Sequence, residues 1–246
     1  MIVPTKEKPA QFGASHRSPQ EGRLRSNPDL PVVIFGVGQL ADVARVYLEQ
    51  AGRVVKGFTV DEGFAESTQH DGLPIWPWAR LEDHAAPGEA ELFCPISYRK
   101  VNAVRKAKYL EGKSRGYRFA SFIHPTVVNN AASVGENCFI LENNILQPFA
   151  TIGDNVILWS GNHIGHHSRI GDHCFLASQV VISGGVTIGE RSFFGVNATV
   201  GDNLTLGEGV VVGAAAVVLR DIPDEGVIAA RSSELSPVPS SRLRGF

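Results

Sequence analysis

The sequence predicts two architectures in series: a Rossmann-like α/β unit, then a left-handed parallel β-helix built from six-residue repeats. Two observations carry this prediction. Between Phe122 and Val218 every sixth residue is aliphatic or phenylalanine. Before that stretch, a short apolar segment runs into a glycine turn, a helical pattern and a second apolar segment that ends in an acid. The first pattern predicts the β-helix, and the second predicts half of a doubly wound sheet.

A six-residue period fits neither an α-helix nor an alternating strand. It is typical of a parallel β-helix, in which each hexad contributes one short strand and one turn. Three hexads then form a triangular coil, with aliphatic side chains stacked inside and successive coils about 4.8 Å apart. A sandwich of loosely alternating strands is the competing interpretation. Such strands would not keep phase from residue 122 to residue 218.

The totals narrow the class of protein. A chain of 246 residues accommodates one or two domains with an ample core. The net charge of −2 gives no reason to expect binding to nucleic acid or to a membrane surface. The sequence has no apolar run near 18 residues and no hydrophobic signal core at its N-terminus, which predicts a cytoplasmic protein without membrane insertion. Three scattered cysteines form neither a disulfide framework nor a zinc pattern, and Cys138 and Cys174 fall on inward positions of their hexads.

Composition sets the expected domain boundaries. Residues 1–30, rich in Pro, Ser and Gln, predict a disordered tail, with a targeting or partner-binding arm as the less favoured alternative. The α/β unit is expected over 31–118 and the β-helix over 119–228. A Pro/Gly segment at 220–226 closes the open end of the stack, and residues 229–246 form a second tail.

The α/β unit begins with a buried strand at 31–35, a helix from about residue 40 and a second strand at 54–60 that ends at Asp61. Gly36 and Gly38 let the backbone approach a phosphate at the helix N-terminus, next to Gln39. The acid can accept hydrogen bonds from a ribose or a base edge. A purely structural turn is the alternative, since Ala41 stands where a third glycine is typical.

The rest of the α/β unit is less regular. Residues 73–78 form a Pro-interrupted apolar segment, expected as an exposed or edge loop, and residues 91–96 read as another strand. Ser97 is expected to cap a helix from about Tyr98 to Gly112, with its apolar residues facing inward: Val101, Val104 and Leu110. The basic residues of this helix are expected on its solvated face. Contact of Arg105 or Lys100 with a phosphate is the alternative.

Histidines concentrate in the middle coils. Eighteen-residue spacing places His166 directly beneath Gly184, and it places His167 between Phe149 and Gly185. A corner imidazole therefore lies under a bare two-glycine gap, where a linear ligand could lie against the backbone. Gly-Gly is also common in turns for conformational reasons alone.

Two further patterns are expected to be structural. Asn144 and Asn162 stand one coil apart on inward positions, which predicts a hydrogen-bonded ladder, since buried amides need partners. A β-helix metal site would need histidines on one column separated by whole coils. Thirty-six residues before His166 and His167 stand Asn130 and Ala131. No metal site is therefore expected.

Taken together, residues 31–228 resemble the sugar-nucleotide acetyltransferases of the NeuD/PglD type. The resemblance rests on Val33–Gly38, on Gly57–Asp61, on the hexads and on the segment Gly165–Asp172. It implies that His166 is the general base, that acetyl-CoA lies with its thioester near Gly184 and Gly185, and that a homotrimer places this histidine in a cleft between subunits. The α/β unit would hold the nucleotide of the sugar substrate.

This sequence departs from the family pattern at one position. The residue after the base is often a carboxylate in the family, and here it is His167. That histidine is carried as a second catalytic candidate, and Asp172 or Asp154 could replace the carboxylate from a nearby corner. The alternative to a general base is that His166 is a histidine of a surface turn without a catalytic role.

The resulting hypothesis is an acetyl-CoA-dependent N-acetyltransferase that acts on a nucleotide-linked amino sugar for surface glycan synthesis. Its substrate-binding residues are expected at the carboxyl edge of the sheet: Gly36, Gly38, Gln39, Asp61, Ser97 and Tyr98. A sugar O-acetyltransferase is the alternative within the class. A non-catalytic β-helix scaffold with a nucleotide sensor is the alternative outside it.

Overall fold

The computed structural model describes residues 27–64 and 67–242. Residues 1–26 and 243–246 of the two expected tails lie outside this range. Residues 27–30 are attached rather than loose: the backbone N–H of Asn27 donates to the buried carboxylate of Glu91 at 2.7 Å. Arg53 donates to the carbonyls of Asn27 and Leu30 at 3.3 and 3.0 Å. The expectation of a tail to residue 30 is therefore wrong for its last four residues.

The α/β unit is a five-stranded sheet with two helices, in the strand order β3-β4-β2-β1-β5. All its pairings are parallel except that between β3 and β4. Its elements in chain order are β1 Val32–Phe35, α1 Gln39–Gln50, β2 Val55–Val60, β3 Gln69–His70, β4 Leu73–Pro77, a 3-10 helix Trp78–Asp83, β5 Glu91–Phe93 and α2 Ala103–Ser114. Strand β1, which lies between β2 and β5, is buried throughout, and α1 buries Ala41, Ala44 and Leu48. The predicted strand–turn–helix–strand order is confirmed.

The segment at residues 73–78 is a strand over most of its length, which corrects the expected loop. β4 pairs in parallel with β2, with Phe58 opposite Ile75 and Val60 opposite Pro77. Only the two-residue strand β3 lies beyond it, so β4 sits almost at the sheet edge, where prolines are tolerated.

Helix α2 starts later than the sequence pattern suggests. It begins at Ala103, its N-cap is Asn102 with φ 61°, and Ser97 caps nothing. Leu110, expected to face inward, is 49% exposed, whereas Arg105, expected on the solvated face, is fully buried. The helix turns this other side to the β-helix, where Arg105 donates to backbone carbonyls.

The β-helix has three parallel sheets, which we name the first, second and third faces. The first face contains β6 Phe122–Ile123, β9 Phe139–Ile140, β12 Ile157–Leu158, β15 Phe175–Leu176, β18 Phe193–Phe194, β21 Val211–Val212 and β23 Val227–Ile228. The second contains β7 Val128–Asn129, β10 Ile145–Leu146, β13 His163–Ile164, β16 Val181–Ile182, β19 Thr199–Val200 and β22 Val217–Val218. The third contains β8 Ser133–Val134, β11 Thr151–Ile152, β14 Arg169–Ile170, β17 Thr187–Ile188 and β20 Thr205–Leu206. The predicted parallel β-helix is confirmed.

The hexad phase is not continuous, which corrects the prediction at the first coil. Phe122 pairs with Phe139 and Val128 with Ile145, so these two pairings span seventeen residues rather than eighteen. Phe122 consequently packs outward against Tyr47 of α1, with ring centroids 5.2 Å apart, and Val128 is exposed. The regular eighteen-residue register starts at Val134. The last coil is shortened too, because Val211 pairs with Val227.

The core of the β-helix behaves as predicted. Cys138 and Cys174 are free, buried and part of one aliphatic cluster that fills the coils. Asn144 Oδ1 accepts the backbone N–H of Asn162 at 3.1 Å, and Asn162 Oδ1 accepts that of Val180 at 2.7 Å. The amide groups of both asparagines donate to the carbonyl of Trp159. The asparagine ladder is therefore confirmed as structural.

The three faces have different surroundings. The outward side chains of the first face at Phe139, Ile157 and Phe175 are buried in one cluster with α1 and the α/β sheet. The outward column of the second face exposes four apolar side chains, Val128, Ile145, Val181 and Val217, and also contains His163 and Thr199. Outward positions of the third face are polar: Ser133, Thr151, Arg169, Thr187 and Thr205. No helix within residues 27–64 and 67–242 has the length and apolarity needed to cross a lipid bilayer.

Candidate active site

His166 lies on the second corner, the turn that joins the second face to the third. Its side chain is exposed, and its backbone N–H donates to Gln147 Oε1 at 2.9 Å. A Cβ placed on Gly184, one coil above, would lie 2.6 Å from His166 Cε1 and 2.7 Å from Nε2. The imidazole therefore lies directly against bare backbone, which is the stacking that the sequence predicted.

A second imidazole contacts the first. His166 Nδ1 and His167 Nδ1 are 3.1 Å apart, so one of them donates and the other accepts. The His167 ring also stacks on exposed Phe149, with centroids 4.6 Å apart. For His166 to accept a proton at Nε2, its Nδ1 must carry the hydrogen and donate to His167. The neighbouring histidine thus takes the position from which a carboxylate would act.

The two expected substitutes for that carboxylate are elsewhere. Asp154 Oδ1 accepts the backbone N–H of Glu136 at 3.0 Å, and Asp172 Oδ1 accepts that of Asp154 at 2.7 Å. Both lie on the third corner, between the third face and the first. Their carboxylates organise that corner, which leaves His167 as the polar side chain bonded to the imidazole of His166.

The backbone N–H groups of the glycine gap are already used. Gly184 donates to Asp202 Oδ1 at 3.0 Å, and Gly185 donates to the carbonyl of His166 at 2.8 Å. Gly185 has φ 70°, and a Cβ added to it would lie 2.4 Å from Asn203 Oδ1, so a glycine keeps this position clear. A ligand on this corner would meet a flat backbone surface rather than an array of free donors.

A second candidate site is a cavity of about 580 Å³ at the carboxyl edge of the α/β sheet. Its lining brings together five of the residues predicted to bind substrate: Gly36, Gly38, Gln39, Asp61 and Ser97. The sixth, Tyr98, packs on Phe175 and Phe193 of the first face, with ring centroids 5.2 and 4.6 Å away. The sequence therefore located the cavity, and it missed Arg99 and Lys108, which also line it.

Asp61 is engaged by Lys108, whose Nζ donates to Asp61 Oδ1 at 2.6 Å and to Glu111 Oε2 at 3.0 Å. Burial lowers the pKa of Lys108, but these two hydrogen bonds outweigh it and raise the pKa overall. The ammonium is therefore charged at neutral pH. Asp61 keeps a second oxygen for the hydroxyl or N–H groups of a ligand.

The third corner holds residues that the sequence pattern misplaced. Arg105 Nη2 donates to the carbonyls of His173 and Cys174 at 2.6 and 3.0 Å, and its Nε donates to that of Asn155 at 3.3 Å. Asn102 Nδ2 donates to the carbonyl of Arg191 at 2.8 Å. We call this set the corner clamp, because it binds α2 to three successive coils. The spacing of Arg105, Tyr109 and Gly112 at i, i+4 and i+7 was the available sign of a buried stripe.

Among the residues that the structure describes, one group of side chains has atoms close enough together to hold a metal ion: Asp42, His70 and Asp71. The His70 ring bonds Asp42 at 2.5 Å, and Arg45 lies 3.9 Å from Asp71. The cluster sits partly exposed beside α1. None of its three residues lines the cavity, and the cluster adds nothing to either candidate site.

Comparisons with known proteins agree with this architecture. The bacterial transferase hexapeptide model (six repeats) matches residues 131–166, 149–184 and 167–202, and the hexapeptide repeat of succinyl-transferase matches 185–220. No match was found among curated proteins.

Solved structures give a wider likeness. PerB from Caulobacter crescentus, in complex with CoA and GDP-perosamine, is 28% identical, with a TM-score of 0.71 over 81% of this chain and 94% of that one. A histidine-to-asparagine mutant of perosamine N-acetyltransferase from the same organism is 27% identical over 81% and 93%, also with a TM-score of 0.71. The acetyltransferase domain of PglB from Neisseria gonorrhoeae, 22% identical with a TM-score of 0.71 over 81% and 96%, shares the fold.

The similarity to known proteins extends over both the α/β unit and the β-helix. The hexapeptide models cover the coils that carry His166, and the likeness to PerB includes nearly the whole of that protein. The coils of this chain therefore carry the hexapeptide repeat of bacterial transferases, and the chain as a whole is similar to the sugar N-acetyltransferase PerB.

Proposed function

We propose that the protein transfers the acetyl group of acetyl-CoA to the amine of a nucleotide-linked amino sugar, as a step towards a surface glycan. The observation that carries the proposal is the exposed His166 imidazole lying against the bare backbone of Gly184. The likeness to a perosamine N-acetyltransferase in complex with CoA and GDP-perosamine supports the choice of an amine acceptor.

The proposed chemistry follows from the geometry of the second corner. Acetyl-CoA supplies an acetyl thioester, whose carbonyl the amine attacks. His166 Nε2 takes the proton that the amine loses, which is the work of a general base near neutral pH. The C–S bond of the thioester then breaks, the amide forms, and the CoA thiolate leaves with the proton that His166 returns to it. His167 accepts from His166 Nδ1–H, and it thereby holds Nε2 in its unprotonated form before reaction.

Substrate binding is assigned to the cavity of the α/β unit. The N-terminal turn of α1 lines it and suits a phosphate, and Asp61 lies at the end of β2, where a ribose or base donor would reach it. Tyr98 is left out of this assignment because its ring packs on the β-helix.

We further propose that one active site is shared between subunits of a homotrimer. The α/β unit covers the first face, whereas His166 lies on the corner between the other two faces. In a triangular prism that corner is opposite the first face. The cavity of one subunit would therefore serve His166 of another, with the exposed apolar side chains of the second face packed between them.

Acetyl-CoA turnover with GDP-, UDP- and dTDP-linked amino sugars tests the activity. His166→Ala is expected to lower kcat at least 10²-fold. His84→Ala, an exposed histidine of the α/β unit, is the matched control and is expected to keep its rate. Equal rates in wild type and His166→Ala would remove the general base from the proposal. If only sugars with a free hydroxyl and no amine were acetylated, the acceptor would be a hydroxyl and not an amine.

Mixing two inactive variants tests the shared site. Gly38→Asp would fill the cavity of one variant, and His166→Ala would disable the corner of the other. Randomly mixed trimers should recover roughly a quarter of the wild-type rate, because a closed ring then contains some intact cavity–histidine pairs. No recovery would mean that each histidine serves its own cavity.

A further inference from the structure

We infer that Arg99 contacts the diphosphate of the nucleotide sugar, and that the left-handed turn Lys100–Asn102 presents it to the cavity. This inference rests on the proposed function and adds a substrate-binding residue to it. Arg99 lines the same cavity as the N-terminal turn of α1, and it is exposed there.

The charges that line the cavity favour Arg99 as the residue that binds phosphate. The cavity is lined by three ionisable side chains, Asp61, Arg99 and Lys108. The charge of Lys108 is already offset by its hydrogen bonds to Asp61 and Glu111. Arg99 has no ion pair within residues 27–64 and 67–242. A nucleoside diphosphate brings negative charge into this space, and a guanidinium binds phosphate oxygens in a bidentate manner. Arg99 is therefore the cation available for it.

The backbone of the turn that follows Arg99 is strained. Lys100, Val101 and Asn102 have φ values of 52°, 49° and 61°. A β-branched residue such as Val101 is rare in this region, and such conformations persist only where the surroundings impose them. A helix continued back to Tyr98, which the sequence pattern favours, would give residues 99–102 right-handed dihedrals and redirect the Arg99 side chain.

The corner clamp imposes the turn. Asn102 is fully buried, and its side-chain amide donates to the carbonyls of Arg191 and Ser192 at 2.8 and 3.2 Å. Its Oδ1 accepts from Arg105 Nη1 at 2.9 Å. The β-helix thus holds the end of the turn in place, and the other end leads directly to Arg99 and the cavity. The strain is located between a rigid anchor and a ligand site.

The test compares Arg99→Gln with Lys100→Gln, which removes an adjacent exposed cation that does not line the cavity. GDP, UDP and dTDP are titrated into each protein by calorimetry. Arg99→Gln should weaken the best-bound diphosphate about tenfold or more, the loss expected for a charge-assisted hydrogen bond. Lys100→Gln should change it less than about twofold. In turnover, Arg99→Gln should raise KM for the nucleotide sugar and leave kcat and KM for acetyl-CoA unchanged.

A further variant addresses the turn itself. Asn102→Gly accepts a positive φ but loses the hydrogen bonds of the clamp, so diphosphate affinity should fall about threefold or more while the left-handed backbone remains accessible. Unchanged diphosphate affinity in Arg99→Gln, or equal losses in Arg99→Gln and Lys100→Gln, would overturn the inference about Arg99 alone. If wild type bound none of the three diphosphates, the nucleotide assignment of the proposed function would fall with it.

Discussion

His167 and His173 occupy the same position in consecutive hexads, yet they are in opposite situations. Both are in the left-handed conformation, with φ of 61° and 63°, at the tip of a corner. His167 is exposed on the second corner, beside His166. His173 is 4% exposed on the third corner, where burial lowers its pKa to about 4. The repeat sets the backbone of both histidines but not their environment.

The environment differs because α2 docks on one corner and leaves the other open. At the third corner, the His173 ring lies 5.5 Å from that of Tyr109, and its Nδ1 bonds the side-chain amide of Asn155 at 2.8 Å. At the second corner, Phe149 contacts one side of the histidine pair, and the described residues place no helix over it. A corner of this β-helix is therefore structural or chemical according to what packs on it.

Removing the corner clamp should have the largest effect, because it would open the third corner and make it resemble the second. Arg105→Met removes the donor to the carbonyls of Asn155 and His173, and each lost partner costs about 1–3 kcal/mol. We expect the free energy of unfolding to fall by about 3–4 kcal/mol and His173 to become accessible. Urea unfolding and hydrogen exchange at the third corner measure the two effects.

Lys113→Met on the same helix is the matched control. It breaks the ion pair between Lys113 and Glu136, which is partly exposed, and it should cost less than about 1 kcal/mol. Equal losses in the two variants would show that the buried guanidinium does not hold α2 to the β-helix.

Crowding the open corner should give the next largest effect. In Gly184→Ala the added Cβ would lie 2.6 Å from the His166 ring, so the imidazole must move while the coil remains intact. A displaced base should lower kcat about 10–100-fold at little cost in melting temperature. Gly201→Ala, where the nearest atom is 3.4 Å away, is the control on the same corner. A Gly184→Ala enzyme with wild-type kcat would contradict the placement of the base beneath this glycine.

The repeat made the β-helix predictable because every coil between Val134 and Val218 obeys one local rule. The same rule failed at Phe122 and Val128, since a shortened coil at the start shows no break in an every-sixth count. The corner with His166 could be located because stacking follows from the period alone. Gly184 and Gly185 could be placed next to it in the same way, because they follow His166 and His167 by eighteen residues.

The α/β unit and its docking were less predictable because they depend on contacts between segments far apart in the chain. Arg105 looked like one more solvated cation, and only its carbonyl partners on the β-helix, 50 to 69 residues away, explain why it is buried. Arg99 was missed for a similar reason. A left-handed turn forced by Asn102 has no signature in a helical pattern.

The smallest effect concerns the buried histidine itself. The pKa of His173 is about 4 in the folded protein against 6.5 for an unperturbed histidine, so the unfolded state binds more protons between these values. The stability that His173 contributes is present above pH 6.5 and is lost as pH falls towards 4. Wild type should therefore lose about 2 kcal/mol from this residue between pH 7 and pH 5. An asparagine at this position would continue the column of Asn137 and Asn155, so His173→Asn should remove this loss.

Urea unfolding of wild type and His173→Asn at pH 7 and pH 5 measures the difference, with His167→Asn as the variant at the open corner. Other titrating groups contribute equally to all three proteins and cancel in the comparison. His167→Asn leaves the third corner as it is, so it should keep the loss of stability that the buried His173 causes. If His173→Asn kept the wild-type dependence, the third corner would be open to water and the contrast between the two corners would disappear.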